Sequence, residues 1–144
     1  MGSKGDICIM SEWVMLVPSI VFTKIKTDFS QVIKDKYKMT NDNFSTINSS
    51  NKDAVFPFVH VHMLTAVEQG QDLEGTSINA GIFTFQIDVT DNKTQNRARN
   101  VMSEVLRIMK SMSFDVIAMP EFESGETHRC VARFRRMIGS GDVL

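Results

Sequence analysis

The stretch FPFVHVHML, from Phe56 to Leu64, sets His60 and His62 two residues apart in an otherwise apolar run. Two imidazoles on one strand face stand about 7 Å apart by strand rise, near enough to share a metal ion. Alternation puts Phe56, Phe58, His60, His62 and Leu64 on one face and Val59, Val61 and Met63 on the other. A metal would need a third ligand, and Asp88, or His128 and Cys130, are the candidates on other segments. Cys130 precedes Ala132 and Phe134 on the apolar side of its own alternating run, and no recognised ligand spacing supports the histidine pair. The expectation is that no metal and no other cofactor is bound. His60 and His62 then line the sheet face opposite the helices.

Other chemistry finds little support. The chain has no Gly-x-Ser-x-Gly, no His-Glu-x-x-His and no glycine loop to cradle a phosphate; GSGD near the end precedes no helix. Glu121 and Glu123 alternate with apolar residues, but nothing else marks a paired-carboxylate site. A non-enzymatic protein is expected. In HRCVARFRRMIGSGD, alternation sets Arg129, Arg133 and Arg135 on one face and Cys130, Ala132 and Phe134 on the other, with Arg136 near the end. Guanidinium groups suit desolvated ion pairs with carboxylates. A cluster of three repels itself, so a counter-charge is required. The acidic residues Glu68, Asp72 and Glu74 of a neighbouring subunit are the expected source, making these six residues an inter-subunit interface.

These side chains need elements to hold them. From Pro18 to Lys36, Val21, Ile25, Phe29, Val32 and Ile33 recur at helical spacing. Proline suits a first turn, and the alternative is a longer helix from Ser11 kinked at Pro18. Residues 1–14 are expected as a mobile arm, and residues 15–144 as a single domain with a long mobile loop at 65–79. AGIFTFQIDV alternates Phe83, Phe85, Ile87 and Val89 against Thr84, Gln86 and Asp88, which predicts a strand. Ala98, Val101, Met102, Val105, Met109 and Met112 predict a second helix, capped by Asp91 or Asn92. FDVIAMPEF and HRCVARFRRMI read as two closing strands around the turn signal Ser124-Gly125, and NFSTIN as a short early one. The sum is an α+β two-layer domain, a mostly antiparallel sheet with two helices packed on one face.

A chain of 144 residues suits one core, burying roughly 70% of the surface that the unfolded chain exposes. Sixteen basic against seventeen acidic residues argue against holding nucleic acid by bulk charge. Two cysteines without a Cys-x-x-Cys pair make no disulfide framework, and a reducing compartment is expected. The run ICIMSEWVMLVPSIVF is too short and too interrupted to span a bilayer and lacks a signal-peptide pattern, so a soluble protein is expected that stays inside the cell that makes it or goes into something assembled there. A two-layer domain leaves one sheet face uncovered. Phe56, Phe58, His60, His62, Thr84 and Gln86 give that face the mixed composition of a protein interface, so it is expected to pack on another subunit.

The strings FPFVHV, GIFTFQIDV, TQNRARNVMSEVLRIMKSMSF and RCVARFRRMIGSGD, with the acidic stretch between the first two, resemble the tail terminator (tail completion) proteins of long-tailed bacteriophages and related tail-like particles. The resemblance covers roughly residues 15–142. It implies small α+β subunits forming a hexameric ring that caps the tail tube, stops its elongation and offers a surface for head or neck attachment. The implied partners are further copies of the chain, the tail tube protein, a neck or head-completion protein and DNA passing through the ring channel, with no membrane. The implied location is a virion tail assembled in the host cytoplasm. A head-tail joining (neck) subunit would share the same order of elements. From another class, a small-molecule or nucleic-acid binding module on a ferredoxin-like sheet would use the same open face.

Overall fold

The architecture is that of a computed structural model, which describes residues 2–46, 55–71, 78–125 and 127–144. The chain runs α1 (Gly2–Asp28), α2 (Gln31–Tyr37), a single 3-10 turn (Asn41–Asn43), β1 (Phe44–Ser45), β2 (Phe58–Gln71), β3 (Ile78–Asp91), α3 (Gln95–Ser111), β4 (Asp115–Ser124) and β5 (His128–Gly139). The five strands lie in the order β1-β2-β3-β5-β4, antiparallel except for the short parallel pairing of β1 with β2. The helices α1 and α3 cover one face. The fold is therefore α+β, with the helices on one side of a mostly antiparallel sheet.

The core follows from two periodicities that meet. Every second residue of β3, Phe83 to Val89, is fully buried, as are Val59 and Val61 of β2 and Cys130, Ala132 and Phe134 of β5. Against them α1 places Val17, Val21 and Ile25, and α3 places Ala98, Val101, Met102, Val105, Ile108 and Met109. Phe85 meets Phe114 edge to face at 5.6 Å between ring centres, and Trp13 meets Phe83 at 5.9 Å. The α3 cap is Thr94, whose hydroxyl accepts the Arg97 N–H at 3.2 Å; Asp91 sits just outside and takes the N–H groups of Lys93 and Thr94. The buried Asn43 ties the 3-10 turn to β2, donating to the Pro57 carbonyl at 2.7 Å and accepting from the Thr40 N–H.

Three expectations need correction. The segment 1–14 is not a separate arm: from Gly2 onward it is the first half of α1, continuous through Pro18. Trp13 and Val14 pack against the core, so the helix has an anchor N-terminal to the proline. The helix expected over 18–36 is two helices. It breaks at Phe29 and Ser30, where α3 supplies new partners: the Ser30 N–H donates to Glu104 at 3.1 Å, and Arg107 donates to the Asp28 carbonyl at 2.9 Å. Glu104 is accordingly buried, and it also bonds Arg107. Finally, the loop expected at 65–79 begins later. Residues 65–71 continue β2 and residues 78–79 open β3, while 72–77 lie outside the described residues. An irregularity in the pairing between Met63 and Thr65 breaks the alternation there, which hid the strand from a period-of-two test.

Candidate assembly surface

The sheet face away from α1 and α3 is built from rows of paired residues across β2, β3 and β5. They run Phe58-Thr90-Arg129, His60-Asp88-Val131, His62-Gln86-Arg133, Thr65-Thr84-Arg135 and Val67-Ile82-Met137. The middle rows are polar and the last is apolar. In that last row Val67 is 53% exposed and Met137 61%, one on each side of Ile82, an unusual state for large apolar side chains sharing a row.

The sequence placed Phe58, His60, His62, Thr84, Gln86, Arg129, Arg133 and Arg135 on one face, and the register brings all of them together there. Phe56 precedes β2 and is half-buried. The histidine rings stack with centres 4.7 Å apart, and His60 Nε2 lies 3.3 Å from the Thr46 carbonyl. His62 titrates below its ordinary value because of burial first. The neighbouring His60, Arg129 and Arg133 push the same way, and Asp88 opposes them. Its Nδ1 is buried without a partner among the described residues.

One of the three arginines finds a counter-charge within the chain, among the described residues. Arg129 donates to Asp88 at 2.6 Å, Asp88 also accepts from Gln86 at 3.0 Å, and Gln86 in turn accepts from Arg133 at 3.0 Å. Arg135 alone of the three makes no ion pair or side-chain hydrogen bond among the described residues. The extra residue at Leu64 shifts the faces of the rest of β2, so Thr65 and Val67 join the open face while Glu68 pairs with Gly81 on the side of the helices. Glu68 therefore points away from its own arginines. Asp72 and Glu74 lie outside the described residues.

The register also separates the metal-ligand candidates. His128 and Cys130 share the helix-covered face with Asp91 and Val89, opposite to His60 and His62. Burial raises the Cys130 thiol to about 11, which keeps it protonated and unreactive. Among the described residues no three His, Cys, Asp or Glu side chains converge to hold an ion.

A second surface escaped the sequence reading. On the outside of α1, Met15 is 79% exposed, with Leu16 and Ile20 also exposed. An apolar groove of about 260 Å³ runs beside them to the C-terminal residues Val143 and Leu144. The exposed residues share the helix with the core stripe, and an apolar helix reads as buried whichever side a single chain covers. No helix among the described residues is long and apolar enough to cross a membrane.

No protein-family model matches the chain, and no curated protein matches it.

Proposed function

We propose that the chain is a structural subunit that closes head to tail into a ring, and that the ring caps the tail tube of a bacteriophage or tail-like particle. In that role it stops tube elongation and presents the surface to which a head or neck attaches. The observation that carries the assembly part is the sheet face that no helix among the described residues covers, ending in an exposed apolar row beside exposed arginines. The tail terminator part rests on the resemblance of the strand and helix strings, and with it come six subunits, the tube and neck partners, DNA in the channel and a place in the virion. A heterologous contact repeated through a fixed rotation closes a ring, and a small, nearly neutral subunit without a nucleophile motif suits that work.

Light scattering on a size-exclusion column, with negative-stain microscopy, tests the reading. Rings are expected, and tube protein of the same particle polymerised with them should give tubes of arrested length, each blunted at one end by a ring. A chain monomeric at every concentration would overturn it. A ring that binds the neck but leaves tube length unchanged would favour the head-tail joining role instead.

A further inference from the structure

We propose that the ring contact is made by the outer stripe of α1 of one subunit lying on the apolar end of the next subunit's open sheet face, with Glu12 facing Arg135. The contact rests on the ring reading above and names the two surfaces that make it. Glu12, Leu16 and Ile20 follow one another at four-residue steps and Met15 stands three residues after Glu12, so the four lie on the side of the helix away from Val17, Val21 and Ile25. Val67, Ile82 and Met137 form one row on the open side of the sheet, and Arg135 stands in the row beside it.

The two patches match in kind. Each is a short apolar group with one exposed charge at its margin, and the charges are opposite. Neither Glu12 nor Arg135 has a salt bridge or side-chain hydrogen bond among the described residues, although Asp115 pairs with Arg135 in the strand register. The shapes match as well. Met137 projects from the sheet, and the groove of about 260 Å³ beside Leu16 and Ile20 offers an apolar recess for it, methionine being adaptable in such places. Because α1 lies on one side of the sheet and the row on the other, a chain cannot join its own two patches. Every copy is left with one patch of each kind, which is the condition for head-to-tail growth.

Charge-reversal variants with light scattering provide the test. Glu12→Arg and Arg135→Glu should each raise the concentration needed for ring formation about tenfold, by replacing an attraction with a repulsion. The double variant, and an equal mixture of the two single variants, should recover the wild-type ring. Met15→Asp should weaken assembly on the order of a hundredfold, because it sinks a carboxylate into the apolar contact. Circular dichroism should show all variants folded, since each site is exposed. Wild-type rings that neither the reversals nor Met15→Asp perturb would overturn the contact and leave the ring standing. So would variants that form rings normally yet lose the tube. A wild-type monomer or closed symmetric dimer would overturn contact and ring together.

Discussion

At the scale of single residues, the open face is organised by Asp88. It stands on the central strand β3, is only 8% exposed, and joins Arg129 to Gln86 and through it to Arg133. Asp88→Ala should destabilise the fold by about 1 to 2 kcal/mol, read from urea midpoints, because it removes a charge-assisted bond and leaves the Gln86 amide without its acceptor. Asp88→Asn should push the His62 titration lower still, since the carboxylate is the group that holds it up; an unchanged NMR titration would show that the carboxylate does not act on the ring. The depressed His62 value has a thermodynamic sign. Below the ordinary value of 6.5 the unfolded chain takes up a proton that the folded ring resists, so stability falls as pH drops through this range and levels off below the folded value. His62→Gln should flatten that slope as pH falls through 6.5 and below. The faces of these residues were legible from alternation alone. Their partners were not, because cross-strand register is a long-range property: Arg129 reaches a carboxylate 41 positions away.

At the scale of elements, apolar periodicity carried α3, β3 and β5 because each buries one clean stripe. It failed where tertiary bonds replace local ones. The break between α1 and α2 has no glycine; it persists because Glu104 accepts the Ser30 N–H and Arg107 bonds the Asp28 carbonyl, which caps the exposed ends from outside. Nothing local distinguishes Glu104 from its solvated neighbours. Glu104→Ala should therefore cost about 1 to 2 kcal/mol, by leaving the part-buried Ser30 N–H without its acceptor. A change below about 0.5 kcal/mol, the range of ordinary surface substitutions, would mean the junction is held by Phe29 packing alone. The end of β2 was lost for a different reason. The step at Leu64 moves Thr65 and Val67 to the face that His60 and His62 occupy, so a strict alternation read through it assigns every later side chain to the wrong side. Glu68, expected in a mobile loop, instead pairs with Gly81 as part of β2.

At the scale of the whole molecule, α3 carries the chain from β3 past one strand position to β4, and β5 then returns between them. That threading puts the arginine strand inside the sheet instead of at its edge: Arg135 stands between Thr84 of β3 and Asp115 of β4, while Met137 beyond it has Ile82 of β3 beside it, so a neighbour's helix can rest on the end of the sheet there. If α1 of the next subunit docks there, most of the association energy comes from Met15, Leu16, Ile20, Val67 and Met137, and little from the ion pair. Exposed pairs contribute about 0 to 1 kcal/mol and are screened within about 3 Å at 1 M salt. Raising salt from about 0.1 M to about 1 M should then weaken ring formation by less than about tenfold, while Met15→Asp weakens it far more at either salt. Warming from the cold should strengthen the ring, as apolar burial is driven by entropy near room temperature. A ring that dissolves completely in 1 M salt would instead place its binding energy in Arg129, Arg133 and Arg135, and would move the contact down the sheet face to the polar rows.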